Sequence, residues 1–239
     1  MQQGGHNRGL KIAAIIQARM SSERLPGKVL CEIEGKPVLG YLLERIKFCR
    51  QIYKIIVATS AEKEDSAIAD FCGKSGVDCY RGSLSDVADR FKEISEMYNL
   101  DGFVRISADS PLLDQEIVEK AVEIFRGGQF DIVTNVQRRT YPKGESVEVV
   151  KSKTFLKGFA QMRKPEYLEH VTKYFYDNPE SFRICNLNFE SNCSAINLSL
   201  DTTTDLQMIT SIIKQMRRPH WQYGLKQVLE SYQQLLCPK

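Results

Sequence analysis

The sequence has little of what marks membrane, zinc and nucleic-acid-binding proteins. No apolar run approaches the roughly 18 residues that a membrane span needs, and the N-terminus carries no apolar signal segment. Only three histidines are present, and none of the seven cysteines forms a C-x-x-C pair, so we expect no structural zinc site. The net charge of +3 is too small to indicate binding to nucleic acid or to a membrane. These features predict a cytoplasmic protein with reduced thiols.

What is present is typical of a globular protein with a real core. Hydrophobic residues make up 42% of the 239-residue chain and charged residues 26%. Residues 1–9 are rich in Gly and Gln, which indicates a flexible leader. The rest shows no internal repeat and no linker-like stretch, so we predict one domain over residues 10–239.

The first half alternates short apolar runs with segments of helical periodicity. The apolar runs lie at residues 11–16, 54–59, 77–82 and 102–109, and the helical segments at 35–49, 64–76 and 84–99. This pattern predicts β-α-β units and a mostly parallel sheet covered on both faces. In such sheets, ligands bind at the carboxyl ends of the strands, where the strand order reverses.

The second half is less regular. We predict strands at residues 131–136, 146–150, 181–189 and 195–200, and helices at 155–162, 166–177, 203–216 and 223–236. The overall prediction is an α/β fold whose second half is elaborated.

The segment IIQARMSSERLPGKVL, residues 15–30, places three cations directly after the first apolar run. Arg19, Arg24 and Lys28 are interspersed with small residues that let the backbone approach a ligand closely. The segment matches neither G-x-x-x-x-G-K-[ST] nor G-x-G-x-x-G, so the cations must supply much of the charge that holds a phosphate. The prediction is a polyphosphate site, and the alternative is a solvated basic loop.

Two carboxylates follow predicted strands. Asp109 ends VRISAD, and Asp201 ends AINLSLD. Carboxylates near a polyphosphate are suited to Mg²⁺, which commonly uses one or two of them together with substrate phosphates. The alternative for Asp109 is a cap on the helix that begins near residue 114, while Asp205 is the better cap for the helix near residue 203.

Two further segments are candidates for substrate binding. In RTYPKGESVEV, residues 139–149, a stiff turn precedes Glu145 and Glu148. Glu169 and His170 lie on the predicted helix at residues 166–177. A plain turn and a structural histidine are the alternatives.

The order of these motifs resembles that of the CTP-dependent nucleotidyltransferases. This family includes CMP-N-acylneuraminate synthetase, 3-deoxy-manno-octulosonate cytidylyltransferase and, most similar, the SpsF-type spore-coat polysaccharide cytidylyltransferases. The resemblance rests on IIQARMSSERLPGKVL, IIVATS, YRGSLSDVADRF, VRISADSPLLD, RTYPKGESVEVV, EHVTKYFY and LSLDTTTDL. It extends from about Lys11 to about Met216. It implies a Rossmann-like, glycosyltransferase-A-type α/β/α fold of three layers with a mostly parallel mixed sheet.

The resemblance also implies roles for individual residues. Mg²⁺ is expected on Asp109 and Asp201, and catalysis on Arg19, Lys28 and Asp109. The expected CTP contacts are Gln17, Ala18, Arg19, Ser22, Arg24 and Lys28 for the triphosphate side and Gly82, Ser83, Asp86 and Arg90 for the base and ribose. The expected acceptor contacts are Tyr141, Gly144, Glu145, Glu148, Glu169 and His170. The family is typically dimeric, so the resemblance implies a homodimer.

The implied activity is transfer of CMP from CTP to a 2-keto-3-deoxy sugar acid, with release of pyrophosphate, in the synthesis of a surface glycan. Ala108 and Ser146 depart from the family pattern, which usually has glycine and aspartate there. Ser146 leaves open an acceptor that is a sugar phosphate or another phosphorylated metabolite. A catalytically inactive nucleotide-binding subunit is a further alternative. The L-A-G-G opening of several other nucleotidyltransferases and the D-x-D of many glycosyltransferases are absent.

Overall fold

The computed structural model describes residues 9–236, and strand β1 (Ile12–Gln17) lies inside its main sheet. Alternate residues of β1 pack against two hydrophobic cores, with Ile16 in the first and Ile15 in the second. Successive side chains of a strand point to opposite faces, so burial of both faces explains the continuous apolar run. The leader predicted at residues 1–9 lies outside the described residues except for Gly9.

The remaining strands follow the predicted order. They are β2 (Glu32–Ile33), β3 (Lys36–Pro37), β4 (Lys54–Ser60), β5 (Asp78–Gly82), β6 (Gly102–Ser107), β7 (Ile132–Thr134), β8 (Glu148–Lys151) and β9 (Ile184–Asn186). Strands β2 and β3 pair with each other as a small hairpin that the sequence patterns did not predict.

Seven of these strands form one sheet in the order β5-β4-β1-β6-β8-β7-β9. Strand β8 runs antiparallel to β6 and β7, and the other neighbours are parallel. The prediction of a mostly parallel mixed sheet is therefore confirmed. The chain moves outward from β1 to β4 and β5 on one side and then returns to β6 on the other, so the strand order reverses at β1.

Helices cover both faces of the sheet. They are α1 (Val38–Ile46), α2 (Ser66–Ser75), α3 (Val87–Met97), α4 (Gln115–Arg126), α5 (Ser152–Phe159), α6 (Pro165–Glu169), α7 (Lys173–Asp177), α8 (Thr203–Gln215) and α9 (Leu225–Leu236). Helices α1, α2, α4, α8 and α9 contribute to the first core, and α3, α5, α6 and α7 to the second. The three-layer α/β/α prediction is confirmed. That residues 10–239 form a single domain stays a prediction.

Three local predictions are wrong. The helix predicted at residues 166–177 is divided into α6 and α7, because the intervening Val171 enters the second core and Thr172 donates to buried Glu148. The strand predicted at residues 195–200 does not form: the segment makes only an isolated bridge, between Asn197 and Lys143, since its backbone partners belong to loops. The N-cap of α8 is Thr202, and Asp205, the third residue of the helix, completes a capping box with it.

In the part of the chain that the structure describes, no helix combines the length and the apolar character that membrane crossing requires.

Candidate functional site

A cleft of about 720 Å³ lies at the carboxyl ends of β1 and β6 and is called here the β1–β6 cleft. It lies where the strand order reverses, the position at which open α/β sheets bind ligands. Ten predicted site residues line it: Gln17, Ala18, Arg19, Ser22, Arg24, Lys28, Arg90, Asp109, Glu169 and Asp201. Residues far apart in the chain are thus brought together.

The loop after β1 is held in place at both ends. The Ala18 N–H donates to the carbonyl of Ala58 at 3.0 Å, which continues the strand pairing for one residue. The Gly27 N–H donates to the Met20 carbonyl at 2.9 Å and closes the loop. Gly27 has φ +72°, a conformation that glycine adopts without strain. The single helical turn that follows begins at Lys28.

Asp65 fixes the middle of this loop and was not among the predicted site residues. Its Oδ1 accepts from the Met20 N–H at 2.7 Å, while its Oδ2 accepts from the hydroxyl and the N–H of Ser60 at the end of β4. Burial raises the pKa of Asp65, but these hydrogen bonds outweigh that effect and the pKa lies below its ordinary value. Asp65 is therefore ionised at neutral pH and ties the loop to the sheet.

Lys28 bridges the two predicted metal carboxylates. Its Nζ lies 2.6 Å from Oδ2 of Asp109 and 2.7 Å from Oδ1 of Asp201. Arg24 adds a contact of 3.1 Å to the other oxygen of Asp201. The basic loop and the carboxylates of Asp109 and Asp201 are thus brought together in the structure.

The pKa shifts of Lys28 and Asp201 both favour the charged form. Burial lowers the pKa of Lys28, but the charges and hydrogen bonds of Asp109 and Asp201 outweigh it, and the pKa lies above the ordinary 10.5. Burial likewise raises the pKa of Asp201, but Lys28 and Arg24 outweigh it, and the pKa lies below 3.8. Two carboxylates with an ammonium between them can bind a divalent cation in place of the ammonium, which then becomes available to a phosphate.

The donors present fit Mg²⁺. Asp109 and Asp201 offer carboxylate oxygens, which are the ligands that this ion prefers, and substrate phosphates commonly complete its coordination. Within residues 9–236, no group of three or more His, Cys, Asp or Glu side chains is arranged to hold a metal. A metal at this site would therefore depend on oxygens from the nucleotide. Mg²⁺ binding stays a prediction.

Two further charged side chains, Glu169 and Arg90, reach the cleft from helices. Glu169, at the end of α6, forms an ion pair of 2.9 Å with Arg19 of the loop. Arg90 of α3 is buried and donates from Nη1 to the Ala58 carbonyl at 3.0 Å. Burial lowers the pKa of Arg90, although a guanidinium stays charged at neutral pH. The cleft thus carries cations on several walls.

Three predicted nucleotide contacts support the cleft without lining it. Asp86 caps α3 by accepting from the Asp89 N–H at 2.8 Å, and Ser83 accepts from the Asp86 N–H. A Cβ on Gly82 would approach Arg90 to 2.9 Å, so glycine makes room for that arginine. Leu84, from the same segment, lines the cleft instead. That Gly82, Ser83 and Asp86 contact the base and ribose directly stays a prediction.

The predicted acceptor loop does not face the cleft. Tyr141 is buried against Phe189, and Gly144, at φ +91°, approaches the Leu198 backbone too closely for any side chain. Glu145 is fully buried, accepts from the Asp114 N–H at 2.8 Å and has a pKa well above its ordinary value because of burial. The expectation that these side chains face the acceptor is corrected here: the turn is packed into the first core.

Glu148 and His170 are also placed differently from the expectation. Glu148 is 2% exposed and hydrogen-bonded to Arg105, Thr172 and Tyr176, so its carboxylate is occupied inside the protein. His170 is exposed at the end of α6 and does not line the cleft. Arg105 is a second residue near the cleft that the sequence patterns did not single out.

The two departures from the family pattern lie in different surroundings. Ala108 lines the cleft beside Asp109. Ser146 lies outside it and accepts from Nη2 of Arg139 at 3.0 Å.

Comparison with known sequences gives a consistent picture. A profile of the cytidylyltransferase family matches residues 13–231. An uncharacterized protein of Methanocaldococcus jannaschii is 37% identical over 207 residues, which cover 86% of this chain and 84% of that protein. The spore coat polysaccharide biosynthesis protein SpsF of Bacillus subtilis is 29% identical over 210 residues, 84% of this chain and 85% of that protein.

Solved structures share the fold. A cytidylyltransferase from Leptospira borgpetersenii superposes with a TM-score of 0.90 at 29% identity over 95% of each chain. CMP:2-keto-3-deoxy-manno-octonic acid synthetase, solved with CTP, has a TM-score of 0.66 at 20% identity and covers 86% of this chain and 99% of that one. The second likeness shows a common fold. Since the family profile spans almost the whole chain and a relative above 30% identity covers most of it, the protein belongs to the cytidylyltransferase family.

Proposed function

We propose that the protein transfers CMP from CTP to a sugar-acid acceptor of the 2-keto-3-deoxy type and releases pyrophosphate. The observation that carries the proposal is the cluster in the cleft, where the Lys28 ammonium lies within 2.7 Å of the carboxylates of Asp109 and Asp201, which are 92 positions apart in the chain. Family membership supports the nucleotide, and the names of the relatives support a polysaccharide pathway and a sugar-acid acceptor.

For this reaction the protein must position the two substrates and stabilise the charge that develops. An acceptor oxygen attacks the α-phosphorus of CTP, the bond to the bridging oxygen breaks, and pyrophosphate leaves. Negative charge develops on phosphate oxygens, and cations close to those oxygens stabilise it. Lys28, Arg19 and Arg24 supply these cations, and no nucleophilic side chain is needed.

Asp109 and Asp201 are the proposed ligands of Mg²⁺. When bound, this ion supplies a charge that neutralises phosphate oxygens and orients them. Lys28 would then leave its position between the carboxylates, and its ammonium would be available to a phosphate.

We also propose that the protein is a homodimer and acts in the cytoplasm. Analytical ultracentrifugation tests the dimer, and cell fractionation tests the location. Ser146 stands where the family pattern usually has an aspartate. Because of this departure, sugar phosphates are the second acceptor class.

The experiment is a pyrophosphate-release assay with CTP, UTP, ATP and GTP, each with Mg²⁺, against a panel of keto-deoxy sugar acids and sugar phosphates. The proposal predicts release from CTP with an acid of the panel. Asp109→Asn is predicted to abolish it, whereas the matched variant Asp78→Asn, at a carboxylate outside the cleft, leaves it intact. Release only with sugar phosphates would support the second acceptor class. Release from another nucleotide in preference to CTP contradicts the proposal, and CTP binding without release favours an inactive nucleotide-binding subunit.

A further inference from the structure

A polar chain leads from the interior of the protein to the wall of the β1–β6 cleft. Gln17 lines the cleft at the end of β1. Its Oε1 accepts from Nε of Arg105 at 3.0 Å, and Nη1 of Arg105 donates to Oε2 of Glu148. Arg105 and Glu148 are paired residues on the neighbouring strands β6 and β8, so the sheet itself sets their separation.

Glu148 is a fixed anchor for the guanidinium. Its second oxygen accepts from the Thr172 hydroxyl and from the Tyr176 phenol, both at 2.6 Å. Tyr176 also lies 2.9 Å from the Thr134 hydroxyl. A phenol has one proton and an ionised carboxylate can only accept, so Tyr176 donates to Glu148 and accepts from Thr134. Both oxygens of Glu148 are thus engaged inside the protein.

This anchoring determines which end of the Gln17 amide faces the cleft. An amide has one oxygen that accepts and one nitrogen that donates two hydrogens, whereas a guanidinium can only donate. The oxygen of Gln17 must therefore point to Arg105, and Nε2 is left for the cleft. Without Arg105, the amide could turn and present either end.

We propose that Arg105, held by Glu148, is a positioning residue that keeps the Gln17 amide oriented so that it donates a hydrogen bond to an oxygen of the bound nucleotide. The inference rests on the proposed function and adds a residue to that site. It also gives Glu148 a different role from acceptor contact, because its carboxylate holds the arginine.

The test measures CTP binding by titration calorimetry in the presence of Mg²⁺ for wild type, Arg105→Met, Gln17→Met and the double variant. Loss of one hydrogen bond to the ligand predicts binding about fivefold to tenfold weaker for each single variant. If Arg105 acts through Gln17, adding Arg105→Met to Gln17→Met weakens binding less than about twofold. KM for CTP should rise in the single variants with kcat changed less than about threefold, as expected when uniform binding is lost.

Two further variants guard against a folding defect. Arg183→Met removes an exposed arginine outside the cleft and should bind CTP like wild type. Glu148→Gln retains the shape of the anchor and weakens its hold on Arg105, so it should weaken CTP binding in wild type and not in the Gln17→Met background. This variant decides the question should Arg105→Met fail to fold.

Repeating the titration with cytidine shows whether the accepting oxygen belongs to the base or to a phosphate. A base carbonyl predicts that the effect of Gln17→Met persists, and a phosphate oxygen predicts that it disappears. Either result supports the inference. Unchanged CTP binding by Arg105→Met, or equal weakening in both backgrounds, overturns the inference alone. Absence of CTP binding by the wild-type protein overturns it together with the proposed function.

Discussion

Replacing Lys28 by methionine removes the ammonium that bridges Asp109 and Asp201 while nearly preserving side-chain length. The three side chains are 12%, 18% and 27% exposed, and the two contacts are 2.6 and 2.7 Å. After the change, the two carboxylates lose the cation between them. Among the contacts that the described residues make in this cluster, the ion pair of Asp201 with the exposed Arg24, at 3.1 Å, remains.

The magnitude follows from these contacts. A hydrogen bond to a charged group contributes about 1.5–3 kcal/mol, and partial exposure reduces this value by solvent screening. We expect the free energy of unfolding to fall by about 2 kcal/mol at pH 7. Loss of a charge that stabilises the transition state should lower kcat by about two to three orders of magnitude.

The sign of the pH dependence can also be derived. The folded-state pKa of Lys28 is raised above 10.5, so its contribution is present below that value and is lost as pH rises through the folded pKa. The pKa of Asp201 is lowered, so its contribution is present above 3.8 and is lost as pH falls. The stability difference between wild type and Lys28→Met should therefore be largest between about pH 5 and pH 10.

Urea unfolding followed by circular dichroism measures the stability, and pyrophosphate release from CTP measures activity. Lys54→Met is a matched control, because Lys54 lies 2.7 Å from Asp78 but both side chains are more than a third exposed. It should change the free energy of unfolding by less than about 1 kcal/mol and leave activity intact. Equal destabilisation by the two variants, or full activity of Lys28→Met, would refute the reasoning.

Three other predictions concern the supports of the site and the core. Asp65→Asn should lower the free energy of unfolding by about 2 kcal/mol at pH 7 and weaken CTP binding, because it loosens the loop at Met20. Since the pKa of Asp65 is lowered, this loss should shrink as pH falls below 3.8. Asp114→Ala should cost about 2–3 kcal/mol without changing CTP affinity, because this carboxylate accepts from the first turns of both α4 and α9 outside the cleft. His220→Gln should flatten the acid stability profile, since burial lowers the pKa of His220 to about 4 and its protonation on unfolding destabilises the wild type as pH falls from 6.5.

Urea unfolding across pH and CTP calorimetry check all three. CTP affinity unchanged in Asp65→Asn would show that the loop does not depend on this carboxylate. A loss of less than about 0.5 kcal/mol in Asp114→Ala would mean that solvent replaces both capping contacts. Parallel acid profiles for wild type and His220→Gln would mean that burial does not hold the histidine neutral.

Much of the fold was predictable because it depends on local pattern. The run KIAAII indicates a strand buried on both faces, and the glycine after EDSAIADFCGKS ends α2 as predicted, with Gly76 at φ +63°. The position of the basic loop after β1 and of Asp109 after β6 was also predictable, and it explains why Lys28 and Asp109 meet at one edge of the sheet. Asp201 reaches the same edge through a loop contact, in which the Leu200 N–H donates to the Asp109 carbonyl.

The remainder depends on contacts between distant segments that periodicity does not encode. Arg105 and Gln17 are 88 positions apart, and Glu148 lies 43 positions beyond Arg105. The break before α7 follows from the tertiary contacts of Val171 and Thr172 rather than from a helix-breaking residue. The burial of Glu145 could not be predicted from the sequence either, because an acidic residue in a turn is usually exposed to solvent.

The central claim is that the β1–β6 cleft is built for CTP. The most direct test is titration calorimetry of the wild-type protein with each of the four nucleoside triphosphates in the presence of Mg²⁺. The account predicts that CTP binds at one site per chain, at least about tenfold more tightly than UTP, which lacks the amino group of cytosine. No binding of CTP, or equal affinity for all four nucleotides, would contradict it.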